Sequence, residues 1–294
     1  MPRKTITNKV TLEGIGLHKG RPSKASFLPA RGPSGIRFLK PDLTSPIQAS
    51  VANVAAAVRG TNLSDGTRTI HTVEHLLSAC AGLGIDDLDV ALDGSEPPAM
   101  DGSALAFALA LKEAGPADKP DQEKIFLRLA APLEFKCGKA VYRAQPCDKP
   151  VFRLTYCHPH RLIGSQTFEI ALTPENYLAE VAGARTFGFK SEIEDLRAAG
   201  LALGGSLENA VVIADDAFLS SEGGLRFPDE FARHKLLDLL GDLKLTGLEL
   251  GAVSLEAVYT GRAGEVHLWP SASLLLAYRP TGLLARRASH TSQS

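Results

Sequence analysis

The sequence predicts an α+β fold built from a duplicated unit of strands followed by helices, and three observations support it. The stretch GPADKPDQEK at 115–124 is almost free of large apolar residues, which predicts a linker between two halves of domain size. Strand-like segments precede helix-like segments in each half. A shift of 160 residues superposes four leucines of 76–90 on four leucines of 236–250. The predicted units are a first domain at 1–117, a second at 125–285 and a flexible tail at 286–294.

The first half contains two predicted strands and two predicted helices. Short segments with β-branched or aromatic residues beside turn signals predict the strands, KASFLPA at 24–30 and GIRFLK at 35–40. One helix is predicted over 72–84, with Thr72 as its N-cap and glycines at its end. The other is predicted over 101–115, where Asp101 or Ser103 is the N-cap.

The second half follows the same order of strands and then helices. Similar strand-like segments lie at 124–137, 139–146 and 151–157. Helices are predicted over 191–200 and 229–247. The 160-residue shift also places Glu74 over His234, so polar residues within two otherwise apolar helices occupy equivalent positions.

Composition and charge exclude several classes of protein. The net charge of −1 argues against a broad nucleic-acid surface, although it allows a small basic pocket for a phosphate. The first residues contain no apolar signal-peptide core, and no stretch approaches about 18 uninterrupted apolar residues. We therefore expect a cytoplasmic protein without an integral membrane segment. The four cysteines are scattered without a CxxC pair, and we interpret them as reduced structural thiols.

The helix predicted over 229–247 carries a polar stripe. Four acid or imidazole residues recur every four positions: Glu230, His234, Asp238 and Asp242. This spacing keeps them on one side of a helix, where two carboxylates repel unless a cation or a charged imidazole lies nearby. A polar helix face with a satisfied histidine is the alternative that this pattern alone leaves open. We interpret Glu230 as a solvated acid of the first turn.

The segment HTVEHLL supplies the remaining parts of a metal site. A catalytic zinc ion takes three nitrogen or oxygen ligands and keeps one open position. His75, His234 and Asp238 would provide that set. The adjacent Glu74 would then serve as a general base that is not itself a ligand. His71, four residues before His75, is the rival ligand, although it precedes the predicted helix.

Seven motifs in consecutive order extend this pattern over most of residues 10–270. They are GIGLHKG (14–20), HTVEHLLSACAGLGID (71–86), PPAMDGSA (97–104), CHP (157–159), ARTFGF (184–189), GLALGGSLENAVV (200–212) and GLRFPDEFARHKLLDLLGDL (224–243). Jointly they resemble the zinc-dependent UDP-3-O-acyl-N-acetylglucosamine deacetylases of lipid A biosynthesis. The resemblance implies two similar α+β domains with helices packed between two sheets, a duplicated β-α-α-β sandwich. It also implies a small βαβ insert at about 184–214 in the second domain, which forms an apolar passage for the acyl chain.

The resemblance further implies a role for each residue that matches a family motif. Glu74 corresponds to the general base, and the metal ligands correspond to His75, His234 and Asp238. The implied metal is Zn²⁺, with Fe²⁺ as the alternative in cells. Thr186 corresponds to a hydroxyl donor to the developing oxyanion, and Asp242 to the residue that orients a catalytic histidine.

Five further residues match family positions near the substrate. Lys235, Phe187 and Phe189 correspond to residues close to the substrate. His18 and His158 match family histidines beside the substrate cleft, and the alternative for both is an ordinary loop histidine.

The catalytic histidine is the point at which this chain departs from the family pattern. The family places that histidine directly after a glycine, in a short Ser-Gly-His-Ala-like turn. This chain reads YTGRAGEVHLWPSASLLL, where His267 follows Glu265 and Val266. We assign His267 as the catalytic histidine, and the alternative is that it is a strand residue. Arg262 is the candidate for a family lysine thought to contact the diphosphate.

The predicted reaction is metal-dependent amide hydrolysis. It removes the 2-N-acetyl group of UDP-3-O-acyl-N-acetylglucosamine to give UDP-3-O-acyl-glucosamine and acetate, an early committed step of lipid A synthesis. We expect a monomer that binds this UDP-linked acylated amino sugar and no nucleic acid. Two rivals stay open: a non-catalytic homologue that binds a nucleotide-sugar lipid, and a metal amidohydrolase that acts on another acylated sugar.

Overall fold

The protein is an α+β protein in the computed structural model, which describes residues 1–41, 45–55 and 59–260. The strands are β1 (Pro2–Ile6), β2 (Val10–Ile15), β3 (Pro22–Pro29), β4 (Ile36–Leu39), β5 (Ile47–Gln48), β6 (Leu63–Ser64), β7 (Thr69–Ile70), β8 (Leu88–Leu92), β9 (Pro116–Glu123), β10 (Phe126–Leu127), β11 (Leu133–Cys137), β12 (Ala140–Pro146), β13 (Val151–His158), β14 (Gly164–Ala171), β15 (Phe187–Phe189), β16 (Val211–Ile213), β17 (Phe218–Leu219), β18 (Glu249–Leu250) and β19 (Val253–Thr260). The helices are α1 (Glu74–Gly82), α2 (Leu105–Glu113), α3 (Pro174–Glu180), α4 (Ile193–Ala198) and α5 (Glu230–Lys244). None of the helices in these ranges is long and apolar enough to cross a membrane.

The first half of the chain forms a five-stranded sheet in the order β2-β3-β8-β4-β5. The pair β4–β8 is parallel, and the other neighbours are antiparallel. Strand β8 alternates buried and partly buried residues, with Leu88, Val90 and Leu92 turned into the core. On α2, Phe107 meets Phe27 of β3 edge-on with ring centroids 6.2 Å apart. This contact joins the sheet to the helical layer.

The second half forms another five-stranded sheet, in the order β11-β12-β19-β13-β14. Its pair β13–β19 is parallel and its other neighbours are antiparallel. The two sheets therefore have the same strand order and the same strand directions. In both sheets the central strand is the last of the five along the chain.

Helices α1 and α5 pack against each other, and α5 also packs on β13 and β14 of the second sheet. Every residue of α1 except Ala81 is buried, as expected for a helix with neighbours on all sides. The two backbones approach closely where Gly241 lies beside the carbonyl group of Glu74, and a side chain at Gly241 would overlap that group. This approach brings the first turn of α1 to the C-terminal half of α5.

A smaller three-stranded sheet, β15-β16-β17, lies in the second half. Strands β15 and β16 are parallel, and α4 lies between them in sequence, so they form a βαβ unit. The range of this unit matches the insert expected at 184–214. Helix α3 has no counterpart among the predicted helices, although Thr173 caps it by accepting a hydrogen bond from the N–H of Asn176 at 3.1 Å.

Three local predictions were wrong. The N-cap of α2 is Ala104, not Asp101 or Ser103, because the helix begins only at Leu105. The stretch 115–124, predicted as a linker, forms β9, which pairs antiparallel with β1. Its polar composition suits an exposed two-stranded ribbon as well as a linker. Thr72 is not the N-cap of α1, because it has a φ of 56° and the helix begins two residues later at Glu74. The side chain of Asn62 accepts the N–H of Thr72 at 3.2 Å and supports this turn of the backbone.

Candidate metal centre and active site

Three side chains from α1 and α5 converge at the point where these helices cross. His234 and Asp238 lie one turn apart on α5, and His75 reaches them from the first turn of α1. The Nε2 atoms of His75 and His234 are each 3.6 Å from Oδ1 of Asp238. The two imidazole rings meet edge-on, with centroids 5.0 Å apart. All three residues are buried.

The hydrogen bonds of His234 determine which of its ring nitrogens faces the cluster. Its Nδ1 lies 3.0 Å from the carbonyl oxygen of Ala184. Because a carbonyl only accepts, Nδ1 carries the proton, and the lone pair of Nε2 is free to bind a cation between the three side chains. Burial lowers the pKa of His75 to about 3 and also lowers that of His234, so both rings are neutral at pH 7.

The three residues fit a metal ion with nitrogen and oxygen ligands. Each of the three offers one potential ligand atom, and these atoms lie within 4.8 Å of one another. Among the described residues, this is the group of histidine, cysteine or acidic side chains that could hold a metal ion. Oδ1 of Asp238 is buried without a hydrogen-bond partner, as a ligand oxygen would be. Two neutral imidazoles and one carboxylate suit a site with an open fourth position. The rival ligand His71 lies outside the cluster, with its Nδ1 3.2 Å from Oδ1 of Asn62.

Asp238 is also contacted by its neighbour Lys235. The ammonium group of Lys235 donates to Oδ2 of Asp238 at 2.8 Å and lies 5.5 Å from the centre of the Phe187 ring. Burial opposes ionisation of Asp238, yet His234, Lys235 and His75 together lower its pKa below the ordinary value. The carboxylate that faces the cluster is therefore ionised.

Glu74 is a second carboxyl group at the site, next to His75 in sequence. Its Oε2 accepts the backbone N–H of Thr61 at 2.9 Å. Burial, and then the negative charge of Asp238, raise the pKa of Glu74 to about 8. A carboxyl group with a pKa near neutrality can both accept and release a proton at physiological pH.

Asp242 lies one turn beyond Asp238 and is held by the same loop residue. The hydroxyl of Thr61 donates to Oδ1 of Asp242 at 2.6 Å. Burial raises the pKa of Asp242 to about 7. Thr61 thus contacts both Glu74 and Asp242, although nothing in its sequence context RGTNLSDG indicates this.

These groups line one end of a cavity of about 290 Å³. Thr186 and Phe187 stand beside the cluster, while the β15–β16 unit supplies much of the apolar wall. That wall consists of Ile193, Leu196, Leu207, Ala210 and Val212. The cavity therefore joins a polar reaction centre to an apolar passage.

Of the remaining residues predicted to contact the substrate, only some border the cavity in the part of the chain that the structure describes. His18 borders the cavity, but the N–H of Ala202 donates to its Nδ1 at 3.3 Å and its Nε2 lies 3.2 Å from the carbonyl oxygen of Arg59. Both ring nitrogens of His18 therefore face backbone groups. His158 stacks on Phe189 with ring centroids 4.6 Å apart, outside the lining of the cavity. His267 and Arg262 lie outside the described residues.

The burial of Glu230 contradicts its interpretation as a solvated acid. The residue is completely buried and forms an ion pair with Arg185, whose Nε lies 2.8 Å from Oε1 of Glu230. Sequence patterns did not indicate this pair, because its members are 45 positions apart.

A buried His₂Asp cluster beside a carboxyl group of raised pKa is the arrangement of a metal-dependent hydrolase. The family model described as LpxC, UDP-3-O-acyl N-acetylglycosamine deacetylase, matches residues 3–270. This chain belongs to that family, whose members are metalloenzymes.

Three relatives named UDP-3-O-acyl-N-acetylglucosamine deacetylase illustrate the similarity. The protein of Anaeromyxobacter sp. strain Fw109-5 is 42% identical over 262 residues, which is 89% of this chain and 85% of the relative. That of Campylobacter jejuni subsp. jejuni is 39% identical over 268 residues, or 91% and 89% of the two chains. That of Campylobacter fetus subsp. fetus is 41% identical over 247 residues, or 84% and 83%.

Proposed function

We propose that the protein removes the 2-N-acetyl group of UDP-3-O-acyl-N-acetylglucosamine, giving UDP-3-O-acyl-glucosamine and acetate in lipid A synthesis. The observation that carries this proposal is the buried cluster of His75, His234 and Asp238, with Glu74 beside it at the end of an apolar cavity. The names of the relatives specify the substrate. The proposed metal is Zn²⁺, held by the three clustered residues, and Fe²⁺ is the alternative.

A bound zinc ion would supply Lewis-acid chemistry, polarising the acetamide carbonyl and acidifying a water molecule. Glu74 accepts a proton from the attacking water as the oxygen–carbon bond forms. The hydroxyl of Thr186 donates a hydrogen bond to the oxyanion that develops on the carbonyl oxygen. The carbon–nitrogen bond then breaks, and the amine leaves after it has received a proton.

The proton for the leaving amine is assigned to His267, with Asp242 as the residue that orients it. Histidine suits this step because its ordinary pKa lies near neutrality. The contact between Thr61 and Asp242 supports a fixed orientation for the carboxylate. Activity should consequently decline on both sides of a neutral optimum, and a flat profile from about pH 5 to 9 would contradict the assignment of two titrating groups.

Substrate binding is assigned to the two ends of the cavity. Lys235 and Phe187 border the cluster, and we propose that they hold the sugar portion. The apolar wall of the insert at 184–214 would accommodate the acyl chain. We further propose that His18 contributes to substrate binding through its ring surface, because both of its nitrogens face backbone groups. For His158 and Phe189, which lie outside the lining of the cavity, the proposal rests on the family resemblance alone.

We also propose that the chain is a duplicated β-α-α-β sandwich acting as a monomer. The identical strand order of the two five-stranded sheets supports two similar domains, for which we propose the ranges 1–117 and 125–285. The described site residues come from both halves of one chain, so no second copy is needed to supply them.

Release of acetate from UDP-3-O-acyl-N-acetylglucosamine, measured with and without a chelator, tests the function. We expect acetate release that the chelator abolishes and added Zn²⁺ restores. A protein that binds one equivalent of metal but releases no acetate would refute the proposal in favour of a binding protein. Faster hydrolysis of a different acylated amino sugar would instead identify another amidohydrolase.

A further inference from the structure

Glu230 is a fully buried carboxylate that the proposed reaction does not use. Its Oε1 accepts both the backbone N–H and the Nε–H of Arg185, at 3.0 and 2.8 Å. Its Oε2 accepts Nη2–H of Arg185 at 3.1 Å and the backbone N–H of Arg226 at 2.7 Å. A buried ion pair of this kind is a weak source of stability, because desolvation offsets the attraction between its charges. The position of the pair suggests another use.

The residues on either side of Arg185 both belong to the active site. The carbonyl group of Ala184 accepts the Nδ1–H of His234, and Thr186 borders the cavity. Because Glu230 and His234 are one turn apart on α5, their side chains can contact two successive residues of the loop at 183–186. The side chain of Glu230 holds Arg185, and the side chain of His234 holds Ala184.

A second arginine, Arg226, also contacts the loop at 183–186. The Nη1 atom of Arg226 donates to the carbonyl oxygen of Gly183 at 3.0 Å and to Oδ2 of Asp101 at 2.6 Å. The backbone N–H of Thr186 donates to the carbonyl oxygen of Gly102 at 2.8 Å. Each residue from 183 to 186 is therefore held by at least one hydrogen bond to another segment of the chain.

We propose that Glu230 is a positioning residue of the metal site. Through Arg185 it fixes the Ala184 carbonyl that selects the Nδ1–H tautomer of His234, and it places the Thr186 hydroxyl in the cavity. The inference deepens the proposed function and rests on it for the role of Thr186. Outer partners that orient a ligating histidine contribute about 10–100-fold to metal affinity or activity.

The test is Glu230→Gln in the full-length protein, a change that keeps the shape of the side chain and removes its charge. We expect zinc affinity, measured by chelator competition, to fall by about 10–100-fold. In the metal-free protein, long-range ¹H–¹⁵N spectra of the histidine rings should show a single Nδ1–H tautomer of His234 in the wild type and a mixture in the variant. Unchanged zinc affinity together with an unchanged tautomer would overturn the proposal.

Asp87→Asn is the matched control. Asp87 is also fully buried, accepts Nε–H and Nη2–H of Arg3 at 2.9 and 2.8 Å, and accepts the backbone N–H of Gly35 at 2.8 Å. It follows the C-terminal end of α1, away from the metal ligands. We expect a comparable loss of thermal stability without a change in zinc affinity or tautomer. An equal loss of zinc affinity in both variants would reduce Glu230 to a general stabilising residue and overturn the proposal.

Arg185→Lys provides a second variant if Glu230→Gln does not fold. It keeps the positive charge opposite Glu230 but loses the bidentate contact of the guanidinium group, so we expect a smaller loss of zinc affinity in the same direction. Wild-type zinc affinity in a folded Arg185→Lys protein would contradict the proposal. These measurements need no substrate, so a wild-type protein that releases no acetate would refute the proposed function and leave this test intact.

Discussion

The crossing of α1 and α5 depends on the absence of a side chain at Gly241, which makes Gly241→Ala a direct perturbation of the site. A Cβ atom there would lie 2.9 Å from the carbonyl carbon of Glu74 and closer still to its oxygen. Carbon atoms in contact are normally about 3.5–4.0 Å apart, so the helices would have to separate by about 1 Å. The separation would move Glu74 and His75 away from the residues that α5 contributes.

The expected effects on stability and on activity differ in size. Overpacking costs about 1–3 kcal/mol of unfolding free energy, and replacing a helical glycine by alanine returns about 1 kcal/mol. The net destabilisation is therefore about 0–2 kcal/mol. Metal sites tolerate ligand displacements of only about 0.2 Å, and misplacing a reacting group by about 1 Å costs about 100-fold in rate. We expect turnover to fall by about 100-fold in a protein that still folds.

Three measurements check this expectation: the thermal midpoint, the metal retained after dialysis and the rate of acetate release. Gly82→Ala is the control, because its added methyl group would overlap the ring of Tyr177 at the opposite end of α1. We expect Gly82→Ala to lower the midpoint while the metal is retained. Wild-type metal content and turnover in Gly241→Ala would refute the argument that this close approach sets the geometry of the site.

Three further predictions concern the carboxyl groups of the site. Glu74→Gln should retain one equivalent of metal while acetate release falls by about 100-fold or more, and loss of the metal would make Glu74 a ligand. Thr61→Val should cost the metal-free protein about 1–3 kcal/mol in urea unfolding, because Asp242 loses a buried donor, and Thr61→Ser should restore most of it. The pKa of Asp242 is raised from 3.8 to about 7, so the folded state retains a proton that the unfolded state releases. Stability of the metal-free protein should therefore fall as the pH rises between these two values, and a slope unchanged by Asp242→Asn would contradict the assignment.

The sequence pattern was sufficient to predict the parts of the site that depend on local geometry. The four-residue spacing of His234 and Asp238 placed both on one face of α5, where the structure has them. Helical periodicity determines this relation over a short distance in the chain. The match between 76–90 and 236–250 aligned α1 with α5 in sequence, but their contact at the site was seen only in the structure.

Features that depend on contacts between distant segments could not be predicted in this way. The loop residue Thr61 meets Asp242 across 181 positions, and its neighbours in sequence give no sign of this contact. Glu230 looked like a solvated acid because the spacing of the stripe does not reveal that Arg185 covers it. The stretch 115–124 forms a strand where a linker was predicted. Local composition could not reveal this, because its partner, β1, lies at the other end of the first half.

The order of strands in the two sheets has a consequence for synthesis of the chain on the ribosome. In each sheet the strand made last, β8 or β19, enters the centre between two strands that are already present. Until the residues from 253 onward have emerged from the ribosome, β12 and β13 each expose an edge that β19 covers in the folded sheet. Nascent chains stalled before that point should therefore be prone to aggregation, because an uncovered edge is free to pair with another chain.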